Sequence, residues 1–185
     1  MVPKLRTLFP ALAALLLTAC GIDAGDMNGS GYRALAFELP DQAIKYFDAA
    51  RELITEEVGT GDLKSHPEYA PMRVGELIVA AWEQPETAFD ELRVEAARVP
   101  DLLNPKRAEV LIDNWSRVER WGEALAIAEY AVGLFPDQAR LVKKRDNLRE
   151  RVSGPEGTGE EVPSFAPSAV DDPQGGADPG AADGG

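Results

Sequence analysis

The stretch that decides the fold is WGEALAIAEYAVGLFP, residues 121–136. Its apolar side chains recur at intervals of three and four, which places them on one face of an α-helix. The residues on this face are Ala124, Ile127, Ala128, Ala131 and Phe135. Proline cannot continue a helix without disrupting it, so the helix is expected to end before Pro136. The stretch therefore predicts a helix whose small alanines let a neighbouring helix approach closely.

Helical periodicity continues on both sides of this stretch. Immediately upstream, one predicted helix carries the apolar face Ala108, Leu111, Ile112, Trp115 and Val118. Further helices are predicted at residues 32–39, 40–57, 72–82, 86–98 and 137–152. The prolines fall mostly where such helices begin or end. We therefore expect an all-α domain over residues 32–153, with about seven helices arranged as hairpins.

A shorter pattern repeats within these helices. A small residue is followed by a larger one four positions on and by a second small residue three further. Ala43, Phe47 and Ala50 match it well, and related copies begin at Ala88 and Ala124. The copies start 45 and 36 residues apart. Both intervals fit a period of about 34 residues, with an insertion of about eleven residues near 58–68 in the first and about two extra residues in the second, and such periodicity is the signature of a stacked repeat.

The pattern resembles the second helix of the tetratricopeptide repeat (TPR), a helical hairpin of about 34 residues. That family also places a proline five residues after the second small residue, as Pro136 is placed here. The match is degenerate, because Ala128 stands where the family prefers an aromatic and Glu95 replaces a small residue. The resemblance implies a TPR-like solenoid of about three repeats with a C-terminal capping helix. An irregular helical bundle is the alternative.

The N-terminus has the pattern of a secretory signal. Lys4 and Arg6 precede the apolar run TLFPALAALLL, which is about half the roughly 20 residues that a spanning helix needs. The sequence Leu17-Thr18-Ala19-Cys20 then resembles the bacterial lipobox, and it holds the only Cys of the chain. The resemblance implies removal of residues 1–19 and attachment of acyl chains such as palmitate to Cys20. By the same resemblance, Gly21 after the Cys implies the outer membrane, with the protein facing the periplasm.

The two ends of the mature chain are predicted to lack fixed structure. Residues 20–31 are rich in Gly and Asp and read as a lipidated Cys followed by a flexible tether. Residues 154–185 contain eight Gly, five Pro and seven acids, with no Lys or Arg. Such a composition buries too little apolar surface to offset the entropy of ordering. We expect a disordered acidic tail, which could fold back on the basic last helix.

Composition excludes several functional classes. The chain of 185 residues carries a net charge of −13, with one Cys and one His. These counts exclude a disulfide framework, a Cys-rich zinc site and a His-pair metal site. The acidity argues against nucleic acid as a partner. No nucleophile or phosphate-binding motif accompanies His66, which is expected on an exposed loop at residues 58–68. The sequence therefore predicts a protein that is not an enzyme and uses no cofactor or metal.

The remaining candidates are binding residues. Aromatic side chains dominate many interfaces, but Trp115 is expected in the core. The residues predicted to bind a partner are Trp82, Trp121, Tyr130, Arg140, Lys143 and Lys144. We predict a membrane-anchored, non-catalytic adaptor or scaffold of the bacterial cell envelope that binds another envelope protein. The alternatives are a structural lipoprotein that associates with itself and, less favoured, an unrecognised enzyme or enzyme accessory subunit.

Overall fold

The computed structural model describes residues 23–99, 101–154 and 158–165. Over these residues the chain forms seven α-helices and no β-strand, which confirms the all-α prediction. The helices are α1 (Ala24–Ala36), α2 (Pro40–Val58), α3 (Tyr69–Glu83), α4 (Pro85–Arg98), α5 (Pro105–Arg117), α6 (Trp121–Leu134) and α7 (Ala139–Ser153). A short 3₁₀ helix, Leu63–Ser65, lies in the loop between α2 and α3. Among the described helices, none is long and apolar enough to cross a membrane.

The helices begin where the prolines predict. Pro40, Pro85 and Pro105 each occupy the first residue of a helix. A proline is tolerated there because the backbone N–H that it lacks would have no partner within the helix. Asn104 also caps α5, since its Oδ1 accepts a hydrogen bond from the Arg107 N–H at 2.8 Å.

Most helices pack on the next helix along the chain. The connections α1–α2, α3–α4 and α5–α6 have at most three residues, so these neighbours must run antiparallel. In addition, α1 contacts α3, α3 contacts α5, and α5 contacts α7. The odd-numbered helices therefore form one continuous row, with the even-numbered helices packed beside them.

The first half of the core is built around Phe47, which is completely buried. The ring of Tyr32 meets it edge-on, with 5.4 Å between ring centroids. A Cβ at Gly31 in α1 would lie 2.6 Å from this ring, and one at Gly75 in α3 would lie closer still. Both positions therefore need glycine so that α1 and α3 can close on the aromatic. The alanines that flank it in the predicted pattern, Ala43 and Ala50, are buried as well.

The predicted flexible tether over residues 20–31 is wrong from Ala24 onward, because α1 begins there. Asp23 caps this helix by accepting the N–H of Asp26 at 2.8 Å. The glycines of this segment suggested flexibility, but those after Ala24 lie within a helix, and Gly31 lets that helix close on Phe47 of α2. Cys20, with the rest of the predicted lipobox and signal, lies outside the described residues.

The predicted disorder of residues 154–185 is wrong for residues 158–165, which we call the C-terminal strap. Phe165 at its end is only 5% exposed and packs against Phe89 of α4 and Tyr130 of α6. Local composition did not reveal this burial, because it depends on a surface formed by distant helices. Residues 155–157 and 166–185 lie outside the described residues.

Candidate binding groove

A groove of about 600 Å³ lies between α1, α3 and α5, the odd-numbered helices. We call it the odd-helix groove. Its apolar lining includes Tyr32, Leu35, Pro71, Ile78 and Val110. The size falls within the range of ordinary ligand pockets. The row of odd-numbered helices thus leaves an open, largely apolar trough on one side of the domain.

Asn28 lines the α1 side of this groove and is 2% exposed. Its Nδ2 donates hydrogen bonds to the backbone oxygen of Glu68 at 3.0 Å and to Glu68 Oε2 at 2.9 Å. Its Oδ1 is buried and has no hydrogen-bond partner among the described residues. Since buried polar atoms are nearly always paired in folded proteins, this oxygen is an unsatisfied acceptor on the α1 side of the groove.

Asn114 lines the α5 side and is 5% exposed. Its Oδ1 accepts a hydrogen bond from Trp82 Nε1 at 2.6 Å, which fixes the orientation of the amide. Its Nδ2 is buried and, within the described part of the chain, unpaired. The groove wall therefore contains one free acceptor, on Asn28, and one free donor, on Asn114.

Positive charge surrounds these two amides. Lys106 and Arg117 line the groove and are exposed, and neither pairs with a described acidic side chain. Arg107 is held by the backbone oxygen of Leu102 at 2.6 Å. Burial lowers the pKa of Arg107, although arginine stays charged at neutral pH.

The acidic side chains of the groove are already engaged. Glu68 accepts from Asn28, and Asp113 forms an ion pair with Lys144 of α7. The groove lining thus carries Lys106, Arg107 and Arg117 against Glu68 and the paired Asp113, a positive balance that contrasts with the acidity of the chain as a whole.

The three aromatic residues predicted to bind a partner lie in two separate places. Trp82 is partly buried and supports the groove through its bond to Asn114. Trp121 and Tyr130 lie on α6 beneath the C-terminal strap. The Trp121 N–H donates to Glu160 Oε2 at 3.0 Å, and the ring of Tyr130 lies 4.7 Å from that of Phe165.

The predicted basic patch on α7 is only partly free. Arg140 and Lys143 are exposed, but Lys144 is paired with Asp113. Further along the helix, Arg149 pairs with Glu129 at 2.7 Å. The last basic residue, Arg151, lies 3.7 Å above the ring of Trp121.

The described part of the tail does not cover the free end of this patch. Thr158 and Gly159 of the strap donate their N–H groups to the backbone oxygens of Arg151 and Val152, in the last turn of α7. The strap then runs toward α6 and α4, where Phe165 is buried. Masking of Arg140 and Lys143 by residues 166–185 stays a prediction, because those residues lie outside the described part.

The structure also gives the surroundings of Trp115 and His66. Trp115 is completely buried, which confirms its assignment to the core. His66 was expected to be exposed, but its side chain is 14% exposed, so that expectation is wrong. Its Nε2 lies 3.0 Å from Glu57 Oε2, and its Nδ1 accepts the Glu68 N–H at 3.2 Å. These bonds fasten the loop between α2 and α3.

Metal-ligating side chains do not come together in a binding cluster in the described residues. Over residues 23–99, 101–154 and 158–165, no group of three His, Cys, Asp or Glu side chains could hold a metal ion.

Sequence analysis missed Asn28, because its glycine-rich surroundings suggested a tether. It also missed Asn114, for which a signal was present. Asn is unfavourable inside a helix, and this one adjoins Trp115 in a strongly periodic segment.

No protein-family profile, curated protein or solved structure matches this chain. Its function is therefore argued from the groove and the sequence patterns.

Proposed function

We propose that this protein is a lipid-anchored, non-catalytic adaptor or scaffold of the bacterial cell envelope, which holds another protein in the odd-helix groove. The observation that carries the proposal is the pair of buried, unpaired amide atoms on Asn28 and Asn114 in an open groove. Leaving such atoms unpaired costs about 1–3 kcal/mol each. A groove that retains them is better suited to binding than to stabilising the fold.

The finer fold assignment is part of this proposal. A TPR-like solenoid of about three repeats would place first helices of successive hairpins side by side, as α1, α3 and α5 are placed. The buried positions of Ala43, Phe47 and Ala50 support it. In this interpretation α7 is the capping helix that a stack of repeats needs at its end.

The proposed anchor is an acyl group on Cys20. Because α1 begins at Ala24, only Gly21, Ile22 and the capping Asp23 separate this residue from the helix. Three extended residues span roughly 11 Å. A lipid on Cys20 would therefore hold the first turn of α1 close to the membrane surface, proposed to be the outer membrane facing the periplasm. The Asn28 end of the groove would lie near that surface.

The test is amine-specific cross-linking in intact cells, followed by purification from membranes and mass spectrometry. Lys106 lines the groove and is exposed, whereas Lys143 is exposed on α7. The proposal predicts a foreign envelope protein linked through Lys106, and loss of that link in Lys106→Arg but not in Lys143→Arg. The same sample gives the mass of the N-terminal peptide. An unmodified Cys20 would contradict the anchor.

Self-association is the second candidate, and one observation favours it. Phe37 is 76% exposed at the turn between α1 and α2, and Leu39 and Tyr46 nearby are also exposed. Such apolar clusters often mark contact sites. If copies pack through this turn, sedimentation should show a concentration-dependent oligomer that Phe37→Ser dissolves. In that case the cross-links would join copies of this chain instead of a foreign protein.

A further inference from the structure

We infer that the odd-helix groove binds an extended, acidic peptide segment of its partner by contacts to the peptide main chain. The inference rests on the proposed function, since it specifies what kind of segment an adaptor of this shape would hold. The groove places two requirements on the ligand: hydrogen-bonding groups of a peptide main chain, and negative charge.

The two unpaired atoms in the groove define the first requirement. Asn28 Oδ1 needs a donor and Asn114 Nδ2 needs an acceptor. An extended peptide offers both kinds of group along its main chain, with its N–H groups as donors and its C=O groups as acceptors. The remaining atoms of the two amides are already committed to Glu68 and Trp82, so neither side chain can rotate its amide without losing an existing bond.

The same two atoms argue against a lipid headgroup as the occupant. The phosphodiester of a headgroup accepts hydrogen bonds but donates none, so it could satisfy only Asn114 Nδ2, and an ammonium or hydroxyl elsewhere on the headgroup would have to reach Asn28 Oδ1. An acyl chain would satisfy neither atom. A peptide main chain is thus better matched to this site than the anionic surface to which the proposed anchor on Cys20 would bring the groove close.

The lining of the groove defines the second requirement. Tyr32, Leu35, Ile78 and Val110 present apolar surface that fits an apolar side chain of an extended segment. Lys106 and Arg117 then lie at an exposed part of the groove, where carboxylates flanking that side chain could pair with them. Of the two acids in the lining, Asp113 is paired with Lys144, which leaves three basic side chains against the one carboxylate of Glu68.

The acidic residues 166–185 of this chain are the nearest alternative source of such a segment. However, the strap carries the chain to Phe89 and Tyr130 on the even-numbered helices before this tail begins. A segment of another protein does not have to pass around the domain to enter the groove. We therefore assign the groove to a partner in trans.

The experiment selects peptides from a random twelve-residue library against the full-length chain purified from membranes. The affinities of selected peptides are measured by fluorescence anisotropy. We expect enrichment of Asp and Glu around an apolar residue. Asn114→Asp keeps the acceptor for Trp82 but replaces the free donor by an acceptor, so peptide affinity should fall at least about tenfold. Asn147→Asp on the exposed face of α7 makes the same chemical change and should have no effect.

A second variant avoids a buried substitution. Arg117→Glu reverses an exposed charge at the groove and should weaken acidic peptides about threefold to tenfold at low salt, with a smaller effect at high salt. Arg140→Glu is its matched control on α7. N-methylation of the peptide at the apolar residue removes one main-chain donor, and it should weaken binding if Asn28 Oδ1 accepts from it.

Four outcomes would overturn the inference. Selected peptides that bind all variants equally would show that the groove is not their site. Binding of phosphatidylglycerol vesicles, but not of peptides, would assign the groove to a headgroup. Tighter binding by a synthetic peptide of residues 166–185 than by any selected peptide would assign it to this chain's own tail. No enrichment at all would remove the peptide site, while a cross-linked envelope protein in cells would still support the adaptor function.

Discussion

The two sides of this domain differ in whether the chain itself covers their apolar and hydrogen-bonding groups. On the even-numbered helices, the C-terminal strap buries Phe165 between Phe89 and Tyr130, and Glu160 accepts the N–H of Trp121. On the odd-numbered helices, the groove remains open and holds two unpaired amide atoms, on Asn28 and Asn114. The groups on the covered side bind the chain's own strap and so stabilise the fold. The corresponding groups on the open side have no partner in the described structure. The contrast indicates which surface is available to a partner.

The largest expected effect is on the covered side. Phe165→Ala removes the aromatic that anchors the strap, and burial of a Phe side chain contributes about 2–3 kcal/mol. We expect loss of hydrogen-exchange protection at residues 158–165 and a lower unfolding temperature, with peptide binding to the groove unchanged. Val162→Ala on the exposed part of the strap is the control and should have little effect. Equal loss of groove binding in Phe165→Ala would contradict the separation of the two sides.

A smaller effect is expected at Gly122, where the strap crosses α6. A Cβ at this position would clash with the backbone oxygen of Glu161. Gly122→Ala should release the strap and cost about 1–3 kcal/mol through the clash. Gly133 lies on the same helix with nothing near its hypothetical Cβ, so Gly133→Ala should stabilise the protein by up to about 1 kcal/mol. Chemical denaturation of the two variants measures both signs. A stabilising effect of Gly122→Ala would show that the strap does not dock there.

The covered side should also respond to acid. Burial acts to raise the pKa of Glu123, but the hydrogen bonds and charge of Arg120 outweigh it, so this pKa lies below its ordinary value near 4.5. A carboxyl whose pKa is depressed in the folded state stabilises the fold above its unfolded-state pKa. That stabilisation is lost as the pH falls below about 4.5. Thermal melts between neutral pH and pH 3 should show a smaller acid-induced decrease in Glu123→Gln. An identical decrease would contradict this linkage.

The smallest effect on stability is expected in the groove. Arg117 is exposed and has no ion-pair partner among the described residues, so Arg117→Ala should leave the free energy of unfolding within about 0.5 kcal/mol of the original. The same variant should reduce cross-linking to the partner in cells. A stability loss as large as that of Phe165→Ala would show that the open side, too, is structural.

The sequence predicted much of the fold because local signals agreed with tertiary packing. Prolines marked helix starts, and the pattern of Ala43, Phe47 and Ala50 marked buried positions. The strap was missed because Gly, Pro and acids dominate its composition, and burial of Phe165 depends on surfaces far away in the chain. Phe165 is nevertheless the only aromatic residue of the tail, which was an available signal.

The candidate groove was harder to predict than the fold. Its walls come from three helices that lie far apart in the sequence. The unpaired atoms that mark it belong to two asparagines, and neither asparagine lies in a recognisable sequence motif. Trp121 and Tyr130 were predicted to bind a partner because tryptophan and tyrosine are common in interfaces. In the structure both contact the chain's own strap. Of the predicted aromatic residues only Trp82 is linked to the groove, and it acts through its hydrogen bond to Asn114.

The most direct test of the central claim is site-specific photo-cross-linking in cells with benzoylphenylalanine. One variant carries it at Val110, which lines the odd-helix groove, and the other at Leu134, which is exposed on α6. The account predicts an adduct from Val110 with an acidic, extended segment of an envelope protein, and no such adduct from Leu134. Adducts of that protein from Leu134 alone, or from both positions equally, would contradict the assignment of the groove as the docking surface.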